Sequence, residues 1–501
     1  MLASLLSATV SERSKRIALA YGDATLTFAE LAAAADRLGK ALAAQPEERV
    51  ALVAPNVPAL VVGLFAIWRA GAVAVPLGGR SRRFELERAL ADAQPAAAVT
   101  VGEHAGFALA RELEAVARGN RTLRTRVVVD ELGEVVEIAR SASAPRGVPS
   151  GEEPAAILYT SGSTGEPKGA LLPPALADAM ARNLAHLLGA DADAPYALTV
   201  PASHAFGLGC LLCGIAAGAT AVLVDVTTSI DPLVRALRRR DARVLHGTPP
   251  LFRRLLRSGA ELRLRSGLVA GSLCAPELLA SLDERGARIL NLYGMTEIGA
   301  AASCRAEDPP ETRYRTVGRP LPGYELRVAP GAELTAPAAE GVTPGEIQVR
   351  SGYLPSGYNG RTWGAEQLTD DRWFRTGDLG ELDAAGNLVI AGRAKEVVQV
   401  GGFNVFPAEV EAFLLTHPAI SHVAVIGAPH PVLGEAVQAF VVPAEDAELE
   451  PREVITFARA GIAGYKVPYA VRLVDELPLL PSGKPDRRAL AGMAQPQEVA
   501  R

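Results

Sequence analysis

The sequence predicts an α/β fold, in which buried strands alternate with the helices that cover them, and three observations carry that prediction. Short apolar runs bounded by turn residues alternate with helix-length segments through residues 17–101. The composition, 49% hydrophobic and 21% charged, is that of a globular protein. The length, 501 residues, is enough for more than one domain and a large core. Element by element, residues 17–30 predict a short strand pair around the turn Gly22-Asp23. Thr27, with Glu30 three residues on, then has the spacing of a capping box, and an alanine-rich helix should run to about Leu42. Residues 50–53 form a buried strand bounded by Pro55-Asn56, residues 60–69 a helix, residues 71–77 the next strand and residues 97–101 another. A sheet layered with helices requires this alternation.

Charge and cysteine usage narrow the function classes. The formal net charge is −5, and no long arginine-rich tract is present, which argues against a nucleic-acid scaffold. The basic patch Arg235, Arg238, Arg239 and Arg240 reads as a solvated helix end. Cys210 and Cys213 have CxxC spacing, but no further pair of ligands follows closely and both sit in an apolar run. Buried free thiols in a reducing compartment are the expectation. The first ten residues lack the basic start of a secretory signal, so a cytoplasmic location is expected. Residues 194–224 carry no Asp, Glu, Lys or Arg and are long enough to cross a bilayer. Pro195, Pro201, His204 and the glycines at 207, 209, 214 and 218 punctuate the stretch, which therefore reads as strand, loop, buried helix and strand, with no membrane span.

The chemistry is densest at residues 157–170. An apolar strand end, Ile157-Leu158-Tyr159, leads into Thr160-Ser161-Gly162-Ser163-Thr164-Gly165-Glu166-Pro167 and then Lys168. Glycines let backbone N–H groups face a ligand. Together with hydroxyls they suit phosphate oxygens, and a lysine adds a point charge. The order of strand, hydroxyl-glycine loop and lysine separates this stretch from a flexible linker. The Walker loop is excluded, because Gly162 and Gly165 are two residues apart and Pro167 precedes Lys168.

Residues 159–169 resemble the signature loop of the adenylate-forming superfamily, which comprises acyl- and aryl-CoA synthetases, nonribosomal-peptide adenylation domains and beetle luciferases. The other motifs of that family follow in order over nearly the whole chain. Residues 69–77 resemble one of its core motifs. The resemblance implies that Gly271-Ser272-Leu273 is the small-residue turn against the adenine, and that Asn291-Leu292-Tyr293-Gly294-Met295-Thr296-Glu297 is the second nucleotide motif. In it, Tyr293 has a face to stack on adenine, Thr296 a hydroxyl for a phosphate oxygen and Glu297 a carboxylate for Mg²⁺. Asp378, in Thr376-Gly377-Asp378, is placed on the ribose hydroxyls, where a carboxylate accepts two hydrogen bonds. Arg393 is placed on the ribose or a phosphate. His204, in Pro201-Ala202-Ser203-His204, resembles the gate to the acyl pocket, with Phe206, Gly207, Met295, Ile298 and Gly299 as its lining. No aspartate lies between Pro201 and Gly218, which argues against an amino-acid substrate.

The resemblance further implies two α/β sheets and a small β-barrel in a large AMP-binding domain, residues 1–392, with residues 317–320 and 345–350 as strands of the β-rich part. A hinge at 393–395, pivoting on Lys395, leads to a small mobile α+β lid, residues 396–501. Gly401, Gly402 and Phe403 are placed against CoA, and Lys484, in Pro481-Ser482-Gly483-Lys484, resembles the mobile lysine of the adenylation step. The chain departs from the family in lacking a histidine near Pro174, and in having Gln399 where many relatives have lysine. No carrier-protein attachment motif follows Arg488, so a stand-alone enzyme is expected. The implied reaction is ATP- and Mg²⁺-dependent activation of a carboxylic acid, aromatic or medium-chain aliphatic, followed by thioester formation with CoA. An acyl-carrier protein as acceptor, a malonyl or short-chain acyl-CoA synthetase, and a non-catalytic nucleotide-binding regulator are the alternatives. Malonate would need a basic partner in the pocket, where Ser266 aligns and Arg265 is adjacent.

Overall fold

A computed structural model describes residues 2–81, 83–141, 154–160, 168–225, 229–260, 263–330, 344–400, 403–430, 433–445, 447–480 and 483–494. The predicted start of the chain is present. Ile17–Tyr21 and Ala24–Thr27 pair antiparallel. The helix Phe28–Leu42 begins with the expected capping box, the Thr27 hydroxyl accepting from the Glu30 N–H and the Glu30 carboxylate from the Thr27 N–H. Arg49–Ala54, Val73–Gly78 and Ala97–Val101 pair in parallel and are buried almost throughout. Burial on both faces is why they read as unbroken apolar runs.

Two nine-stranded sheets form the body. One carries, as parallel neighbours, Ile17–Tyr21, Ala221–Leu223, Tyr196–Leu198, Val244–Gly247, Ser266–Val269 and Arg288–Met295. The other carries Thr125–Val129, Ala97–Val101, Arg49–Ala54, Val73–Gly78 and Ala156–Thr160, also parallel, then Lys168–Leu172 antiparallel. The helices Pro58–Arg69 and Ala205–Ala217 are buried nearly all round, and one apolar core runs through both sheets. A helix apolar on every face has to be enclosed in this way. Residues 194–224 are accordingly strand, buried helix and strand. Among the described residues no helix is long and apolar enough to cross a membrane.

A third sheet is antiparallel, with Tyr324–Ala329, Gly345–Ser351, Phe374–Leu382 and Leu388–Arg393 in that order. Where a small barrel was expected, the described strands form an open path, with no pairing between its first and last members. Residues 317–320, expected in this β-rich part, instead bridge two sheets. Val317 and Gly318 exchange backbone hydrogen bonds with Leu388, while Arg319–Pro320 pairs with Gly299–Ser303 at the edge of the first nine-stranded sheet. Beyond the short turn Ala394–Glu396 lies a five-stranded sheet built from Val398–Val400, Phe403–Val405, Ile420–His430, Gly434–Pro443 and Ala470–Leu473, with its own core.

His104 clasps the two large sheets together. Its Nδ1 lies 2.7 Å from Glu131 Oε1, and its Nε2 lies 3.1 Å from Asp225 Oδ2. It follows Ala97–Val101 of one sheet, and Asp225 follows Ala221–Leu223 of the other. Tyr21 donates to the same Glu131 at 3.4 Å, and Arg80 is 3.8 Å from Asp225. The hydrogen bond with Asp225 raises the imidazole pKa, burial opposes the rise, and Glu131 reinforces it. A folded pKa above the unfolded one means that the clasp contributes fully below the unfolded value of about 6.5, and that the contribution is lost as pH rises through the folded value. His104→Gln should therefore cost ~1 kcal/mol at about pH 5.5 and much less at about pH 9, read from urea midpoints. An equal cost at both pH values would show that the charge plays no part.

Candidate active site

The first nine-stranded sheet brings its parallel strands to a common carboxyl end, the place where open α/β sheets bind ligands. Tyr196–Leu198 leads to His204, the residue just before the helix Ala205–Ala217. Ser266–Val269 leads to Gly271-Ser272-Leu273, of which Gly271 and Ser272 are exposed. Arg288–Met295 leads to Thr296 and the buried Glu297. The second sheet supplies the stem of the hydroxyl-glycine loop, closed by the pairing of Thr160 with Lys168. Ser161, Gly162, Ser163, Thr164 and Gly165, like Gly401 and Gly402, lie outside the described residues, and Thr160 and Phe403 are described by backbone alone.

Tyr293, Asp378 and Arg393 form a knot. The Tyr293 hydroxyl donates to Asp378 Oδ2 at 2.8 Å, and Arg393 Nε donates to Asp378 Oδ1 at 2.8 Å. Asp378 and Arg393 face each other across antiparallel strands, and the Asp378 N–H donates to the Thr376 hydroxyl at 3.0 Å. Tyr293 is buried, and burial followed by the Asp378 charge holds its phenol well above the usual tyrosine range, so it stays a hydrogen-bond donor.

Lys484 reaches this knot from the far end of the chain. It sits in a turn where Gly483 has φ +78° and donates to Leu480 O at 2.8 Å, while Leu480 donates to Lys484 O at 2.8 Å. Gly483 lies in the left-handed region, which favours glycine. The lysine remains open to solvent on one side. Desolvation by the cleft walls and then the charge of Arg393 push its ammonium pKa down, while Asp378, Glu396 and Glu297 partly restore it. His204 is held below the usual histidine range by burial and by Lys484, which makes it a neutral imidazole at physiological pH.

Glu297 carries the candidate cation site. Its Oε1 accepts from Tyr358 at 3.0 Å, and its Oε2 has no hydrogen-bond partner among the described residues. A buried carboxylate with one oxygen to spare is a hard ligand that fits Mg²⁺.

Other expected residues are placed differently. Asn291 and Leu292 are buried, and the Asn291 amide donates to Thr316 O at 3.1 Å, so their side chains hold the strand in place. Ile298 is completely buried and its carbonyl accepts from Tyr324, which puts it behind the pocket wall. At Gly207 a Cβ would fall 2.2 Å from Pro201 O, so this glycine serves close packing of the helix start. Phe206 and Met295 are partly exposed. Gly299, with φ +67°, backs onto Met180, whose sulfur would lie 2.9 Å from an added Cβ; Met180 Cε would lie 2.7 Å from one at Gly209. Met180, Thr376 and Tyr358 are contributions that the sequence reading missed. Met180 and Tyr358 carry no local signal, and Thr376 stands in the Asp378 motif, where it was given no role.

The chain is similar to known proteins over nearly its whole length. The family model described as AMP-binding enzyme matches residues 6–359, and the model for the AMP-binding enzyme C-terminal domain matches residues 409–484. A feruloyl-CoA synthase from an Amycolatopsis species is 32% identical over 93% of this chain and 94% of its own. An indoleacetate–CoA ligase from Aromatoleum aromaticum is 31% identical over 94% and 93%. An anthranilate CoA ligase solved with anthranoyl-AMP superposes with a TM-score of 0.85 at 25% identity, covering 99% of this chain and 97% of that one.

The pKa relations around Lys484 are testable. The alkaline limb of the adenylation rate should lie below the ordinary lysine range, because a depressed pKa deprotonates the ammonium earlier. Arg393→Gln removes the neighbouring positive charge and should move that limb to higher pH as it lowers the rate. A limb unmoved by the substitution would mean that Lys484 does not set it.

Proposed function

We propose, for a chain that belongs to the AMP-binding enzyme family of adenylate-forming ligases, that the substrate is an uncharged aromatic or medium-chain carboxylic acid and that CoA is the acyl acceptor. The observation that carries the choice of acid is the apolar wall beyond His204. Residues 201–218 and 298–304, on two sides of the gate, contain no Asp, Glu, Lys or Arg. Arg265, the residue a dicarboxylate would need, precedes Ser266–Val269 at its amino end, opposite the end that leads to Gly271. The aromatic acids in the names of the similar ligases agree with this choice.

In the first half-reaction the acid's carboxylate oxygen attacks the α-phosphorus of ATP, the bond to the bridging oxygen breaks, and pyrophosphate leaves. Negative charge crowds on both reactants, so catalysis rests on positioning and electrostatics. Lys484 lies between carboxylate and α-phosphate, and Lys168 with residues 160–165 holds the β- and γ-phosphates. Asp378, oriented by Tyr293 and Arg393, accepts from the ribose hydroxyls. Mg²⁺, held by Glu297, would neutralise phosphate charge. His204 stands neutral at the gate, where an imidazolium would trap the carboxylate it must release. In the second half-reaction the lid turns about Lys395, Lys484 withdraws, and the face at Gly401-Gly402 approaches. A thiol sulfur then attacks the acyl carbon of the mixed anhydride and AMP leaves.

Pyrophosphate release over a panel of carboxylic acids, run with and without CoA and followed by product mass, tests the reading. An acyl-CoA product with uncharged acids supports it. Activity confined to dicarboxylates would overturn the choice of acid, and an acyl-adenylate that CoA leaves untouched would overturn the choice of acceptor. Lys484→Ala should abolish adenylation and spare thioester formation from supplied acyl-adenylate, with Lys395→Pro doing the reverse. Met180→Ala should shift kcat/KM toward bulkier acids by roughly tenfold, the effect of one or two methylenes of pocket space.

A further inference from the structure

The hairpin Gly357–Tyr358 and Arg361–Thr362 stands at the edge of the second large sheet, beside the strand Lys168–Leu172. It pairs through Tyr358 with Ala170, in the strand that leaves the phosphate-loop stem. The Asn359 N–H donates to Gly169 O at 2.7 Å. The Asn359 amide donates to Asp92 Oδ2 at 2.9 Å, and the same oxygen accepts from Tyr159, in the other stem strand, at 2.6 Å. Asn359 thus ties both sides of the loop stem to one point.

The preceding residue points the other way. The Tyr358 hydroxyl donates to Glu297 Oε1 at 3.0 Å, and the Lys168 ammonium lies 5.4 Å from the centre of the Tyr358 ring. That separation is within the range of a cation–π contact. One side chain therefore holds the carboxylate assigned to the cation with its hydroxyl, and the lysine assigned to the phosphates with its ring face.

We propose that Tyr358 is a positioning residue for adenylation, fixing the distance between the cation carboxylate Glu297 and the phosphate lysine Lys168, on a base that Asn359 anchors to the loop stem. The inference rests on the assignment of Glu297 to Mg²⁺. By donating to Oε1, Tyr358 leaves Oε2 available for a cation and restrains the carboxylate's rotamer. A carboxylate held ready loses less rotamer freedom when the metal arrives.

Mn²⁺ binding in the presence of ATP and absence of acid, followed by the electron paramagnetic resonance signal of free Mn²⁺, reads this without turnover. Tyr358→Phe, which keeps the ring over Lys168, should weaken Mn²⁺ about tenfold, the loss of one hydrogen bond to a charged group. It should raise the Mg²⁺ needed for half-maximal adenylation by the same factor, and saturating Mg²⁺ should restore kcat. Tyr358→Leu, which also removes the ring, should raise the KM for ATP even at saturating Mg²⁺. In a Glu297→Gln background, Tyr358→Phe should add nothing further. Unchanged Mn²⁺ affinity in Tyr358→Phe, or a full additional loss in the Glu297→Gln background, would overturn the role of Tyr358 while leaving the cation assignment standing. Unchanged Mn²⁺ affinity in Glu297→Gln itself would overturn both.

Discussion

The active site depends on the carboxylate of Asp378. Its oxygens receive Tyr293 from the first large sheet and Arg393 from the end of the third, and Lys484 reaches the same place from the last turns of the chain. A buried carboxylate is tolerable only when its oxygens are bonded and its charge is matched. Here the groups that satisfy it are also those that assemble a nucleotide cleft. Without the carboxylate, a buried tyrosine hydroxyl would lose its acceptor, at a cost of about 1–3 kcal/mol, and the hinge arginine would lose its anchor.

Rigidity around that point comes from layers with no part in the chemistry. Two nine-stranded sheets and two enclosed helices share an apolar core, so the carboxyl ends of the strands, where open α/β sheets bind ligands, are held in place. The large body and the five-stranded sheet meet in part through polar contacts. Arg257 donates to Ile420 O at 2.5 Å across to the five-stranded sheet. A few polar contacts of this kind are suited to being broken and remade in a domain rotation, which an extended apolar interface would resist.

Local order was legible because it is a short-range property. The Thr27–Glu30 capping box depends on residues three apart, and the punctuated stretch 194–224 announced its buried helix through its own glycines and prolines. Buried thiols at Cys210 and Cys213 followed from their apolar neighbours. Ile298 and Gly207 were misplaced for the complementary reason. Proximity to a motif was taken for exposure to the pocket, whereas Ile298 turns into the core and Gly207 packs against the 200–201 backbone.

By itself, the sequence determined the α/β class and the order of strands and helices, and it marked out a hydroxyl-glycine loop followed by Lys168, because those are set by composition and spacing along the chain, whereas Glu297, Asp378 and Lys484 were singled out by the resemblance to a family. Only the tertiary structure decided which of them share a cleft, and through what. Tyr358 reaches Glu297 across 61 positions and Asn359 reaches Asp92 across 267, and no periodicity spans such separations. Packing brings these groups together, and that juxtaposition joins the carboxylate of Glu297, the ammonium of Lys168 and the loop stem.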